Sequence, residues 1–369
     1  MSDHRLTRIV QDLPATVPFV GPETLVRRSG VPIEARLGAN ESVFGPSPLA
    51  IAAMQEAAGD AWMYGDPEAY ELRTALAEAN GVERENIVVG VGIDGLFGTA
   101  VRLFVEPGTP VVSSLGAYPT FAFHVAASGG VLHTVPYRDD HEDLEALAAM
   151  ANTVDARLLY LSNPDNPMGT CWDAVAVLRL RDALPANAIL VLDEAYYEFA
   201  SASTIPAIDA TDTRMLRFRT FSKAHGLAGA RVGYVIGHAE TIAAFDRIRD
   251  HFGVGRVAQA AALASLRDEG HVERVVRSVA AARAEIAEIA AANGLTVIDS
   301  SANFVAVDCG RDGDYARRVL VELAALGVFV RMPSVAPLDR CIRISAGTVE
   351  QLAVLAQALP RACSAAAAS

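Results

Sequence analysis

Three strand-like runs each end in side chains able to do chemistry. "RLLYLS" leads into "NPDNPMGT" (163–170), "AILVL" into Asp193-Glu194-Ala195-Tyr196, and "RMLRFRTF" into Ser222-Lys223. Ligands of open α/β sheets sit beyond the carboxyl ends of the strands, so an amide, a carboxylate, a phenol and an amine would gather on one rim. A lysine amine can form a Schiff base, and a carboxylate opposite a pyridine nitrogen keeps that ring protonated and able to accept electrons. These are the demands of pyridoxal 5′-phosphate (PLP) chemistry. Lys223 would supply the amine and Asp193 the carboxylate, while Asn166 and Tyr196 would donate to the ring's phenolate oxygen. Each residue has a plainer use when taken alone: Asp193 as a helix cap, Asn163 and Asn166 as turn residues between prolines, Lys223 as a solvated charge. Their conjunction at successive strand ends carries the reading.

A phosphate needs anchors of its own. Arg231 in "LAGARVGY" offers a bidentate clamp, and Ser222 places a hydroxyl beside the lysine. A third anchor lies in "IVVGVGIDGLFGTAVRLF" (87–104), where Gly90, Gly92 and Gly95 stand between a strand-like run and a helical one. G-x-G-x-x-G in that setting is a dinucleotide fingerprint. A dinucleotide fold also needs an acid about 20 residues on, at the end of the next strand, to take the ribose. Here that strand, "PVVSSLGAYP", carries Ser113 and Ser114 at its end, and the nearest acid, Glu106, precedes it. The glycines are therefore read as a turn that exposes helix N-terminal N–H groups to a single phosphate, with a ligand-free turn as the alternative.

The elements that must position these groups follow from periodicity. Between residues 45 and 245, seven strand-like runs ("NIVVG", "PVVSS", "VLHTVPY", "RLLYLS", "AILVLD", "RMLRFRTFS", "VGYVIG") alternate with Ala- and Leu-rich helical ones, the pattern of an α/β domain with a largely parallel sheet. Residues 246–369 open with one long helical stretch, "VAQAAALASLRDEGHVERVVRSVAAARAEIAEIAAANG", which Gly294 would stop. Two strands, "ANFVAVD" and "CIRISA", with a helix between them, then suggest a small α+β domain. In the second strand, alternation sets Cys341, Arg343 and Ser345 against Ile342 and Ile344, so that Arg343 faces away from the apolar side. Residues 1–44, rich in Pro and Gly, hold no clear core segment and read as an arm, packed on another domain or subunit, and as part of the small domain. The terminal "SAAAAS" is expected to fray.

Bulk properties limit the alternatives. A chain of 369 residues, 51% of them hydrophobic, can bury a large core across two domains. Its net charge of −13, with no block of Lys or Arg, offers nothing to a nucleic-acid backbone. Four scattered cysteines without C-x-x-C spacing suit a reducing compartment and argue against a zinc site. The first residues lack a basic-then-apolar leader and no apolar run of about 18 residues occurs, so the expected location is the cytoplasm, away from membranes.

With these motifs in place the sequence resembles the fold-type-I PLP enzymes, specifically class I/II aminotransferases of the histidinol-phosphate aminotransferase type. The resemblance rests on "GANESVFGPSP" (38–48), "GVGIDGLF" (90–97), "NPDNPMGT", "DEAYYEF" (193–199), "TFSKAHGLAGARVGY" (220–234) and "CIRISAGT" (341–348). It implies a large domain built on a mostly parallel seven-stranded sheet sandwiched by helices, and a smaller α+β domain that closes on the substrate. It makes Lys223 the Schiff-base lysine and general base, pairs Asp193 with the pyridine nitrogen, and sets Asn166 and Tyr196 at the phenolate oxygen. Ser222, Arg231, Ile93, Asp94 and Gly95 would hold the phosphate, and Tyr118 would stack on the ring. Tyr64 would reach the cofactor phosphate of a neighbouring subunit, which implies a homodimer. Asn40, Arg331 and Arg343 would meet the substrate, the two arginines as anion ligands. The implied reaction is a ping-pong transfer of an amino group from histidinol phosphate or a similar amine to 2-oxoglutarate. An aromatic amino acid aminotransferase and a PLP-dependent decarboxylase share these motifs and stay open. Three places depart from the family pattern: Gly95, where an acid commonly follows Asp94; His225, where an aromatic or other apolar residue is common; and residues 250–256, which lack a proline-aromatic-asparagine run.

Overall fold

The structure, a computed structural model, describes residues 5–13 and 20–368. Part of the N-terminal stretch read for a leader lies outside them. Strands among the described residues are β1 (Ala35–Arg36), β2 (Ile87–Val91), β3 (Pro110–Ser114), β4 (Val131–Val135), β5 (Leu158–Ser162), β6 (Ile189–Asp193), β7 (Met215–Thr220), β8 (Val232–Ile236), β9 (Thr296–Val297), β10 (Phe304–Asp308), β11 (Val328–Phe329) and β12 (Cys341–Ser345). Seven of them form one sheet in the order β2-β8-β7-β6-β5-β3-β4. Its pairs are parallel except where β8 meets β2 and β7. Every residue of β5, β6, β7 and β8 is buried, as a sheet covered by helices on both faces requires. Hence "LLYLS" and "ILVLD" read as unbroken apolar runs rather than alternating ones.

The direction of β8 decides where the site can form. Because β2 and the parallel strands all point one way, their carboxyl ends share a rim. β8 runs against them, so the residue just before it, Arg231, reaches that same rim. The helix Gly92–Phe104 covers the sheet with Ile93, Leu96, Phe97, Ala100 and Val101 on its buried face, a spacing of three and four. Phe97 meets Phe121, Tyr160 and Phe218 at ring-centroid distances of 5.8, 5.6 and 4.7 Å. Burying each such ring is worth roughly 1.5–3 kcal/mol, and this cluster forms the floor beneath the site. Arg217 and Arg219 lie within the apolar sheet because both pair with buried Glu194, at 2.5 and 2.8 Å.

The small unit is the antiparallel sheet β12-β10-β9, backed by the helices Gly313–Ala325 and Val349–Ala368. Four expectations change here. The arm does hold core: Ala35 and Leu37 are fully buried, and β1 pairs in parallel with β11. A two-residue strand is too short to leave a periodic signal. The long helical stretch is two helices, Arg256–Leu266 and Glu269–Ala292, broken where the Asp268 side chain accepts from His271 N. The first of these packs Ala261 and Ala262 into the cluster of Leu72, Leu76 and Phe221, on the large sheet rather than with the small unit. The terminal "SAAAA" continues the last helix to Ala368, because alanine favours helix and Ala362 and Ala366 are buried in the core.

Candidate active site

A cavity of about 480 Å³ opens on the rim, between the strand ends and the small unit. Its wall includes Asn40, Ile93, Asp94, Tyr118, Asn166, Asp193, Tyr196, Ser222, Lys223, Arg231, Arg331 and Arg343. Two expected site residues lie elsewhere. Gly95 is in the first turn of the helix Gly92–Phe104 but off the wall, with open space around its would-be Cβ apart from Val91 Cβ at 3.6 Å. Tyr64 is 77% exposed and packs on Phe252 at 4.7 Å.

At the centre of the cavity, Lys223 follows β7 through a turn in which Thr220 Oγ1 accepts from Ser222 N at 3.1 Å. Its Nζ donates to Asn40 O at 3.0 Å. Burial, helped by the positive Arg343, pulls its pKa down to about 8. Asp193, the last residue of β6, accepts from Tyr160 Oη at 2.7 Å and from Ala195 N at 2.9 Å. Burial pushes its carboxyl up to about 7; a cation placed against it would restore the ionised form. The Tyr196 oxygen receives Asn40 Nδ2 at 3.0 Å and Asn166 Nδ2 at 3.3 Å, and burial raises the phenol to about 12. Its own O–H therefore remains available as a donor. Asn166 is oriented by Arg343 Nη1, which donates to its Oδ1 at 2.5 Å.

One end of the cavity is built for an anion. Arg231 Nη1 donates to Ser222 Oγ at 3.3 Å, and its Nη2 lies 3.6 Å from Asp94 Oδ2. Arg231 holds a left-handed backbone, φ 56°, which costs an L-residue roughly 1–2 kcal/mol; the turn into antiparallel β8 demands it. Gly92, φ 65°, lies under the guanidinium, and a Cβ there would overlap Arg231 Nη2. Gly90 makes room in the same way for Leu96, whose Cδ2 would lie 2.7 Å from an added Cβ. The glycines thus admit a side chain and a clamp, not the pyrophosphate of a dinucleotide.

The other end is assembled from distant segments. Asn40, φ 53°, bonds through its N and Oδ1 to Ser345 Oγ at 3.0 and 2.9 Å, and its carbonyl accepts Asn303 Nδ2 at 3.1 Å. Arg343 lies on β12, whose two faces are both buried; the expected polar face is covered by the arm rather than by solvent. The backbones of Arg331 and Arg343 exchange hydrogen bonds of 3.1 and 2.6 Å, which sets their side chains on neighbouring strands. Arg331 Nη2 donates to Val20 O at 2.8 Å.

Sequence reasoning missed Asn303 and Ser345, which carry no local motif, and Asp165. The last stands inside "NPDNPMGT" and braces that loop, accepting from Tyr137 Oη and Met168 N at 2.9 Å each. Asp94 Oδ1 and Arg343 Nε, on residues of the cavity wall, are buried without a hydrogen-bond partner, an acceptor and a donor left for something that enters the cavity. An anion clamp at one end, a carboxylate at the floor, an amine between them whose pKa burial has lowered and two arginines above fit PLP with an anionic substrate.

Residues 33–359 match the family described as Aminotransferase class I and II. The chain is similar to the crystal structure of histidinol-phosphate aminotransferase from Sinorhizobium meliloti in complex with pyridoxal-5′-phosphate, with 50% identity, 98% of each chain covered and a TM-score of 0.95. It is 34% identical over 347 residues to a histidinol-phosphate aminotransferase of Moorella thermoacetica, covering 93% of this chain and 89% of that one. It is also 36% identical over 281 residues to an aromatic amino acid aminotransferase of Thermobifida fusca, covering 75% and 78%.

Proposed function

The chain belongs to the class I and II aminotransferases and is a PLP-dependent transaminase, and from that premise we propose that it moves an amino group from histidinol phosphate, or a closely similar phosphorylated amine, to 2-oxoglutarate. The carrying observation is the pair of arginines, Arg343 and Arg331, joined by a backbone bridge and both lining the cavity. A ping-pong enzyme must accept its two substrates in turn at one place. Two neighbouring cations suit both a dianionic phosphate and a dicarboxylic acid, whereas an aromatic amino acid would engage one of them.

Bound PLP supplies an aldehyde that condenses with amines and a protonated pyridine that takes up the electron pair released from the substrate Cα. Asp193, braced by Tyr160, would hold that nitrogen protonated, and Tyr196 and Asn166 would donate to the phenolate oxygen. Ser222, Arg231 and the N–H groups near Ile93 and Asp94 would bind the phosphate, with Tyr118 against the ring. Lys223 is suited to carry the substrate's α-proton on Nζ, because burial lowers its pKa from 10.5 to about 8 and so leaves far more of it as free base near neutral pH than an exposed lysine has. Arg343, which also orients Asn166, would grip the substrate anion.

The working unit in this reading is a homodimer. Trp62 and Tyr64 are 81% and 77% exposed and Phe252 is 50% exposed, an aromatic surface that a second copy would cover, bringing Tyr64 to the neighbouring cofactor phosphate. The four free cysteines suit the cytoplasm. A half-reaction separates the substrates: the PLP-loaded enzyme is mixed with each amine alone and its visible absorption is followed. Loss of the band with histidinol phosphate is the expected result; loss with phenylalanine or tyrosine but not with histidinol phosphate overturns the substrate, and release of carbon dioxide overturns the reaction class.

A further inference from the structure

His225, where the sequence departs from its family, lies two residues beyond Lys223, and Glu198 lies two residues beyond Tyr196. The two side chains face one another behind the site, each only 8% exposed, with His225 Nε2 at 3.6 Å from Glu198 Oε1. On the other side of the ring, His225 Nδ1 is 2.8 Å from Ser265 Oγ, on the helix Arg256–Leu266. Both Glu198 oxygens are buried without a hydrogen-bond partner. An unsatisfied buried carboxyl costs the enzyme part of its desolvation penalty, so the imidazole that faces it needs a physical account. We propose that His225 and Glu198 are positioning residues, an imidazole–carboxyl strut that fixes the Lys223 loop against the Tyr196 turn and so sets the relation of amine to phenol.

The charges around the pair are consistent with a neutral strut. Burial pushes Glu198 up to about 8 and His225 down to about 4, so at neutral pH the carboxyl keeps its proton and the ring stays uncharged. Its O–H then points toward the free lone pair of Nε2, and Nδ1–H is left to donate to Ser265 Oγ. The 3.6 Å separation is longer than a hydrogen bond, so the proposed strut requires the two groups to draw together. Tyr197, Tyr234, Glu194 and Arg219 surround the carboxyl, the Arg219 guanidinium lying 3.9 Å over the Tyr197 ring. His271, whose Nε2 is 3.2 Å from Gly45 O, faces the imidazole and also disfavours its charged form. Phe221 packs on the ring at 4.6 Å. Lys223 Nζ itself lies 5.6 Å from the centre of the Tyr196 ring, so a slip between the two loops acts directly on the amine.

The inference rests on Lys223 as the cofactor lysine, and the visible band of the PLP-loaded enzyme tests both separately. Absence of the band in the native enzyme overturns the assignment of Lys223 and the strut with it. Where the band is present, His225→Phe, which keeps a ring and removes both nitrogens, shifts the pH midpoint of the band by about half a unit and lowers kcat on the order of tenfold with KM nearly unchanged. Glu198→Gln, whose amide donates toward Nε2 without charge, keeps the midpoint within about 0.2 unit of native. Ser265→Ala adds no volume and shifts the midpoint in the direction of His225→Phe, by less. A native midpoint in both His225→Phe and Ser265→Ala, with only thermal stability lowered, reduces the pair to packing and overturns the strut. So does a Glu198→Gln midpoint displaced as far as that of His225→Phe. If His225→Phe does not fold, an unshifted Ser265→Ala midpoint overturns it alone.

Discussion

The two ends of the cavity are built in opposite ways. At the end proposed for the phosphate, Gly92, Asp94, Ser222 and Arg231 come from two short stretches of chain whose strand ends place them, and most polar contacts are among themselves or to nearby chain, as from Arg231 to Ser222, Ala228 and Asp94. At the substrate end, Asn40, Asn303, Arg331, Arg343 and Ser345 come from the arm and the small unit, and their contacts run to backbone carbonyls far along the chain, as from Lys223 Nζ to Asn40 O and from Arg331 Nη2 to Val20 O. A rigid sheet rim suits a group that stays. An assembly of separate segments suits one that enters and leaves with each half-reaction.

Substitutions at each end should therefore fail differently. The largest effect is expected at Arg343→Ala: loss of a buried guanidinium contact costs about 3 kcal/mol, on the order of 100-fold in KM for both substrates, while PLP affinity changes far less. Equal losses of substrate and cofactor binding would erase the distinction between the ends. Gly92→Ala should do the reverse. Its Cβ must displace Arg231 and its backbone is left-handed, so the dissociation constant for PLP rises about tenfold, while KM measured at saturating PLP stays near native.

The smallest effect lies in the pH dependence of the cofactor-free enzyme. Asp193 and Asp165 rise from 3.8 to about 7 on folding, and Glu198 from 4.5 to about 8. The native state then holds more protons than the unfolded one across this window, so stability falls as pH rises from about 5 to about 8. His225, lowered on folding, opposes this only below its ordinary value of 6.5. Above pH 8 the sign reverses for Lys223, lowered from 10.5 to about 8, because the unfolded chain then binds the extra proton. Thermal melting should follow this course by a few degrees, and saturating PLP should flatten the part due to Asp193. A Tm that climbs steadily from pH 5 to 8 would contradict the buried, protonated carboxyls at the floor of the site.

The same contrast explains what could be read in the sequence. Asn166, Asp193, Tyr196 and Lys223 were legible because each lies at or within a few residues of the carboxyl end of a buried strand, and strand direction gathers those ends. Arg231 was legible from its spacing to Lys223. Asn303 and Ser345 were not, because they act by holding Asn40 in place, and nothing in "ANFVAVD" or "CIRISAGT" records a partner at the other end of the chain. The arm's core escaped for a different reason: Ala35 and Leu37 are buried by a two-residue strand pair, below the length at which alternation can be recognised. In "GVGIDGLF" the glycines have the spacing of a dinucleotide fingerprint, but Gly90 and Gly92 make room for Leu96 and Arg231, since glycine reports only where a backbone or a neighbour must come close.

The reversal of β8 has a geometric corollary. Because β7 and β8 are antiparallel neighbours, Lys223 and Arg231 are the two ends of one connecting loop and its length acts as a gauge between amine and phosphate clamp. The cofactor's own span, from aldehyde carbon to phosphorus, is what that gauge must match. Adding one residue within 224–230 would leave every strand pair intact and still spoil the fit, so this loop should resist insertion beyond what its buried Ala224 and Leu227 alone require.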